Sequence, residues 1–207
     1  MIVTLGLLSP NDEKILNNAI KYLIDEHKKI SDEWINQTKS TLNLKKKTLR
    51  YLNDNPEAEE LLFNYISFLE LETLNIRQEL FSEFQIRTRV KTSNSIWQKK
   101  ETYLSNSHQG NIPINKCFND LLGTRIILDD FRHQDIQNSL SKLQTYSENL
   151  KCIDSSKNGY YGTHIYFHLN NFTFPWELQV WKKSDEKSNI ESHKIYKQEY
   201  TGWEREI

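Results

Sequence analysis

The 207-residue chain has only two cysteines, Cys117 and Cys152, and neither belongs to a C-x-x-C pair. That scarcity excludes a disulfide framework and leaves zinc or thioredoxin-like chemistry without support. Both thiols are expected to be reduced core side chains in a cytoplasmic protein. Long hydrophobic runs are also missing. The longest early one, Ile2 to Leu8, is too short for a membrane span and lacks the basic leader and cleavage signal of an exported protein, so no membrane partner is expected. Nor is there an excess of charge of one sign: 27 Lys and Arg stand against 28 Asp and Glu, a formal net charge of −1. Any attraction to nucleic acid must therefore come from local patches. No internal repeat or low-complexity segment stands out.

What is present speaks for a globular protein. Five Trp, ten Tyr and nine Phe could not be left exposed cheaply, which argues against wholesale disorder even though the mean hydropathy of −0.73 lies on the polar side. The length suits one domain with a substantial core and is short for two, so residues 1–207 are read as one folding unit.

The first part, 1–83, reads as helical. Ser9 is a natural N-cap, Pro10 suits the first helical position, and Asp12 follows in the first turn. Apolar residues then recur at helical spacing through Ile15, Ala19, Leu23, His27, Ile30 and Trp34. A second helix is predicted after Pro56, carrying Leu61, Leu62, Tyr65, Phe68, Leu69 and Leu80 toward Phe84, with Lys45, Lys46, Lys47 and Arg50 clustered near a turn between the two. The remainder, 84–207, changes character. Thr124 to Leu128, Lys151 to Ser155, Thr163 to Leu169 and Phe172 to Trp181 read as strands, Asp135 to Tyr146 and Asp185 to Trp203 as helices. The expected fold class is α+β, a mixed central sheet with flanking helices and a helical N-terminal part.

Four segments carry candidate chemistry. In Arg89-Val90-Lys91 through Ser95 to Lys99, the residues Lys91, Ser95 and Lys99 fall at i, i+4 and i+8; on a helix they would line one face and could cradle a polyphosphate, although alone this is also the spacing of a solvated basic face. Asp120-Leu121-Leu122-Gly123-Thr124-Arg125 puts an acid at a turn before a buried strand, a position from which a carboxylate could hold Mg²⁺; alone it could equally be a helix end with Arg125 paired to Asp129. Lys157-Asn158-Gly159-Tyr160-Tyr161-Gly162-Thr163-His164 is a glycine-punctuated loop that brings together a cation, two stackable rings and an imidazole. Strand alternation in Trp176 to Trp181 places Glu177 and Gln179 on the same face.

These four segments, in this order, resemble the RelA/SpoT synthetase family. Arg89 through Lys99 is similar to its R-x-K-x-x-x-S-x-x-x-K, Asp120 to Arg125 to its D-x-x-G-x-R, Asn158 to His164 to its N-G-Y-x-x-x-H loop, and Glu177 to Val180 to its E-hydrophobic-Q-hydrophobic strand. The resemblance covers about Phe84 to Lys197. It implies a nucleotidyltransferase-like synthetase fold and an ATP- and Mg²⁺-dependent transfer of pyrophosphate to a ribose 3′-hydroxyl. By motif position, Arg89 and Arg125 would hold the adenine of ATP, and Lys91, Ser95 and Lys99 its phosphates. Asp120 would hold the metal, and Glu177 would share it or act as general base. Tyr160 would stack on the acceptor base, Lys157 and His164 would meet its phosphates, and Asn158 and Gln179 would help form its site. No His-Asp metal motif is found, so no hydrolase activity is implied.

The chain departs from the family where Trp181-Lys182 follows Gln179-Val180, in place of the usual Arg-Thr. Asn189, His193, Tyr196 and Lys197 resemble the closing helix, with His193 and Lys197 as further acceptor candidates, but at altered spacing. The tetramer of small alarmone synthetases is not expected. The reading leans toward the family's toxin branch, which modifies the 3′-terminal adenosine of tRNA under control of an antitoxin protein. Lys28, Lys29, Lys45, Lys46, Lys47 and Arg50 would then be RNA contacts or else solvated helix surface. GTP or GDP, as in alarmone synthesis, is the alternative acceptor.

Overall fold

The computed structural model describes residues 8–106, 109–143 and 149–192. Helix α1 (Pro10–Thr38) starts where its cap chemistry dictates: the Ser9 hydroxyl accepts the Asp12 N–H at 3.0 Å, and Pro10 begins the first turn. It stops at Lys39, whose left-handed backbone (φ 52°) turns its N–H back to the Ile35 carbonyl. The short α2 (Leu49–Asp54) is capped by Thr48, and α3 (Pro56–Phe84) ends at left-handed Gln85. The chain continues as β1 (Arg87–Val90), α4 (Ser93–Ser105), α5 (Ile114–Cys117), β2 (Leu122–Leu128), α6 (His133–Ser141), β3 (Leu150–Asp154), β4 (Thr163–Phe167) and β5 (Trp176–Lys182).

The five strands form one mixed sheet in the order β1-β2-β5-β4-β3, in which β2 and β5 are parallel and the other neighbours antiparallel. The α+β architecture expected from the sequence is the one observed. Alternation divides the sheet into two faces. Ile126, Leu128, Ile165, Phe167, Trp176, Leu178 and Val180 form the buried face and belong to one core cluster with Leu16, Ile20, Leu23, Leu62, Tyr65 and Leu69 of α1 and α3. Polar groups within this contact are only partly matched, since His27 Nδ1 finds no hydrogen-bond partner among the described residues. The Trp176 indole donates to the Tyr65 hydroxyl at 3.2 Å, and His27 stacks on Trp176 at 4.6 Å while its Nε2 meets the Phe174 carbonyl at 2.9 Å. Burial pushes the His27 imidazole down to about 4, so it is neutral at physiological pH and Nε2–H is the donor.

The opposite face carries Arg87, Arg89, Gly123, Arg125, His164, Tyr166, Glu177, Gln179 and Trp181, as strand register requires. Several element boundaries differ from the sequence expectation, by one or two residues at β2, β3 and β4 and by more elsewhere. Strand β1 was not anticipated, being only four residues of alternating exposure. The run from Phe172 becomes strand only at Trp176, because Pro175 has no N–H for a ladder. Helix α6 begins at His133 and ends at Ser141, short of Tyr146. Of the closing helix, residues 186–192 are helical and the rest lies outside the described residues. Among the described residues no helix is long and apolar enough to cross a membrane.

Candidate functional site

Cations gather at the edge of the open face. Arg87 stands opposite Arg125 and Arg89 opposite Gly123 across the β1–β2 ladder. Lys91 follows the strand, its N–H bonded to the Leu121 carbonyl at 2.8 Å, and precedes the α4 N-cap Thr92. The expectation that Lys91, Ser95 and Lys99 share one helical face is therefore corrected, since only Ser95 and Lys99 are helical. Asp120 brings the lysines together instead. Its Oδ2 lies 2.5 Å from Lys91 Nζ and its Oδ1 3.1 Å from Lys99 Nζ, with the three side chains only 15–22% exposed. Burial acts to raise the Asp120 carboxyl, but the charges of Lys99 and Lys91 outweigh it and hold the group well below the usual carboxylate range. Burial lowers the Lys91 ammonium, whereas for Lys99 the attraction of Asp120 overcomes burial and raises it. The Ser95 hydroxyl is 2.9 Å from that of Thr92, as part of the helix cap. Cys117, within electrostatic reach of Lys99, is pushed up to about 11 by burial and is a thiol at neutral pH.

Beside these cations, six side chains close a ring. Arg125 donates from Nε and Nη2 to Gln179 Oε1 (3.3 and 3.1 Å), and Gln179 Nε2 donates to Glu177 Oε2 at 2.8 Å. Glu177 Oε1 is 2.9 Å from His164 Nδ1, and His164 Nε2 is 2.6 Å from the Tyr160 hydroxyl. That hydroxyl takes the Trp181 indole N–H at 2.8 Å, and the Trp181 ring lies 3.4 Å beneath the Arg125 guanidinium, completing the circuit. Indole N–H can only donate, so the Tyr160 oxygen accepts there and its own proton points to His164 Nε2. His164 then carries its proton on Nδ1, toward Glu177. Burial raises Glu177, but the hydrogen bonds from His164 and the Gln179 amide bring it below its ordinary value, against the opposing charge of Asp120. Burial pushes Arg125 down to about 10, still protonated at neutral pH. Arg125 pairs with Gln179 rather than Asp129, which lies 3.6 Å from Lys183.

The loop before β4 is a tight hairpin. Asn158 (φ 49°) and Gly159 (φ 80°) both occupy the left-handed region, and Lys157 and Tyr160 exchange backbone hydrogen bonds at 2.8 and 2.9 Å, as in a type I′ turn. Lys157 and Asn158 are exposed at its tip. Two of the candidates lie deeper than this tip. Tyr160 is only 7% exposed, so its ring is part of the site wall, whereas Tyr161 is 51% exposed and has its N–H and C=O bound by the buried Asn189 amide, both at 2.7 Å. Both His164 nitrogens are engaged within the protein, so the imidazole is not presented to an acceptor phosphate in this arrangement. His193 and Lys197 lie outside the described residues.

The basic candidates of the N-terminal part divide. Lys28 pairs with Asp32 at 2.6 Å and Lys29 with Glu26 at 3.4 Å, which neutralises them locally, and Lys47 lies over the Tyr51 ring at 3.8 Å. Lys45, Lys46 and Arg50 are exposed and form no ion pair with a carboxylate among the described residues. Sequence reasoning missed Arg87, Tyr166 and the structural part of Trp181. Tyr166 lies across the ladder from Glu177 with its hydroxyl 3.3 Å from His164 Nδ1, and the alternation of β4 could have flagged it.

No family model and no curated protein matches the chain. Among solved structures it is similar to small alarmone synthetase 2 from Bacillus subtilis, with 24% identity and a TM-score of 0.38, covering 68% of this chain and 79% of that one. It is also similar to small alarmone synthetase 1 from Bacillus subtilis bound to AMPCPP, with 18% identity and a TM-score of 0.38, covering 70% and 82%. TM-scores this low carry no inference about activity, which rests on the side chains of the site.

Proposed function

We propose that the chain is an ATP-dependent pyrophosphokinase that moves the β,γ-pyrophosphate of ATP to a ribose 3′-hydroxyl. The observation that carries the reading is the charge arrangement of the open face. Arg89 and Arg125 stand on the strands beside Glu177, Lys91 and Lys99 are held on Asp120, and Arg87, 3.8 Å from Glu186, lies at the same edge, in a chain whose net charge is −1. A local excess of cations around two ionised acids suits a polyphosphate and a divalent ion together. Each of the four segments that resemble the RelA/SpoT synthetases contributes to this face, with Arg89, Arg125, His164 and Glu177, which supports the reading.

The residues fit Mg²⁺. Asp120 and Glu177 are both held ionised and feel each other's charge, and Mg²⁺ commonly uses one or two carboxylates and takes its other ligands from water and phosphate. When bound, the ion would neutralise charge on the phosphate oxygens. Lys91 and Lys99, exchanged from Asp120, would meet those oxygens as point charges, and Arg89 and Arg125 offer guanidinium planes to the adenine. The acceptor 3′-oxygen would attack the β-phosphorus as the bond to the α-phosphate oxygen breaks, AMP leaves, and Glu177 takes the hydroxyl proton.

For the acceptor, the lean is to the 3′-terminal adenosine of tRNA, which would make the chain an inhibitor of translation with an antitoxin partner; GTP or GDP is the alternative. Exposed Lys45, Lys46 and Arg50 favour a large RNA. The test is incubation with γ-labelled ATP and either deacylated tRNA or GDP. Label on the tRNA is expected, label in a guanosine polyphosphate selects the alternative, and label in neither overturns the reading.

A further inference from the structure

One bond of the closed ring works as a latch on the acceptor loop. Trp181 is fully buried, its indole N–H reaches the Tyr160 oxygen at 2.8 Å, and the two rings meet edge-on with centroids 5.8 Å apart. Gly162 makes room for this contact. A Cβ at that position would lie 2.8 Å from the Tyr160 oxygen and 3.1 Å from Trp181 Cδ1, so any larger residue would force the pair apart. On its other side Trp181 lies against Arg125, so both neighbours of the indole are positioned by it.

We propose that Trp181, with Gly162 and Tyr160, sets acceptor selectivity by holding Tyr160 in the site wall. The latch disfavours a free purine nucleotide, which depends on the Tyr160 ring for stacking. It favours an acceptor whose ribose is delivered by contacts outside the pocket, as the 3′ end of an RNA is. A base that stacks on Tyr160 must draw the ring out. That breaks the bonds of the Tyr160 hydroxyl to the Trp181 N–H and to His164 Nε2 in a buried place, and each such loss weakens binding about tenfold. A polynucleotide offsets a missing stack with phosphate contacts that a mononucleotide cannot make. The word acceptor rests on the pyrophosphokinase reading, whereas the latch can be read from nucleotide binding without any reaction.

The test compares wild type with Trp181→Phe, which keeps a ring beneath Arg125 but loses the N–H, and with Gly162→Ala, which wedges the latch open. Circular dichroism establishes folding, and calorimetry measures GDP affinity in the absence of ATP. Both folded variants are expected to bind GDP about tenfold more tightly, and the ratio of kcat/KM for GDP to that for deacylated tRNA is expected to rise by a similar factor. Should Gly162→Ala fail to fold, Trp181→Phe alone decides. GDP affinity unchanged or weakened in folded Trp181→Phe overturns the proposal. A wild-type chain that transfers pyrophosphate to neither acceptor removes the enzymatic reading alone, because the calorimetric comparison still decides the latch.

Discussion

Replacing Asp120 with Asn removes the one negative charge between Lys91 and Lys99 while keeping the side chain's size. The two ammonium groups then face each other with no counter-ion at 2.5 and 3.1 Å, in side chains only 15 and 22% exposed. Breaking a buried pair by removing one partner costs about 3–5 kcal/mol, and the partial exposure places this site at the lower end, about 3 kcal/mol. For a chain of this length that lowers Tm by about 6–12 °C. Thermal unfolding followed by circular dichroism at neutral pH and low salt measures it. The loss should be reversible by ligand: ATP in EDTA supplies the missing negative charge, so it should raise the Tm of Asp120→Asn more than that of wild type, where Asp120 competes for the same lysines. The pH dependence has a definite sign. The folded carboxyl lies below its unfolded value of about 3.9, so its contribution is complete above about pH 4 and is lost as pH falls through the folded value. The gap between wild type and variant should narrow in acid. A variant melting within about 2 °C of wild type, or ATP stabilising wild type the more, would refute the assignment of Asp120 as the junction of the two lysines.

On the proposed mechanism, Glu177→Gln should lower pyrophosphate transfer by about 10²–10³, because it would remove the base and disturb the bond that the Gln179 amide now donates to Glu177; retention of a tenth of wild-type turnover would exclude Glu177 as the base. His27 folds neutral at about 4 against an unfolded value of about 6.5. The unfolded chain therefore binds more protons in that window, and stability should fall by about 2 kcal/mol between pH 7 and 5. Urea unfolding of wild type and His27→Phe should diverge there, and parallel curves would contradict it. Leu178→Ala, at a fully buried position of β5, should cost about 2–5 kcal/mol, against about 0.5 kcal/mol or less for exposed Phe172→Ala; equal losses would mean that the buried face of the sheet is misassigned. If RNA binds, neutralising Lys45, Lys46 and Arg50 together should reduce the slope of log affinity against log salt by about 2, and an unchanged slope would remove these residues from the interface.

Helices were legible in the sequence because their signals are local. Ser9-Pro10 and Pro56 mark the starts of α1 and α3, and the spacing from Ile15 to Trp34 marks the face that became buried, although Ile15 itself is half-buried and its neighbour Leu16 takes the core position. The strands β2 and β5, which have a neighbour on each edge, were legible from their apolar residues, and alternation correctly paired Glu177 with Gln179. The short edge strand β1 was not, because four residues with alternating exposure carry too little apolar signal. The helical reading of Lys91 failed for a related reason. Its i, i+4 relation to Ser95 is a matter of spacing alone, whereas the Thr92 cap and the bond from Lys91 to Leu121 place it before the helix.

Residue types and their order, read from the sequence alone, determined which chemistry the chain can carry: cations for phosphates, two acids, and a glycine-punctuated loop with stackable rings. Folding decided how those groups face one another. Asp120 is 29 residues from Lys91 and 21 from Lys99 in the chain, yet it lies between them. Tyr160, which sequence alone casts as a stacking ring, is held in the wall by Trp181, 21 residues away. Hydrogen bonds and ion pairs depend on ångström distances, and sequence separation says nothing of these until the sheet register is set. Trp181 shows the difference most clearly: in the sequence it is a departure from a motif, and in the fold it joins Arg125 to Tyr160.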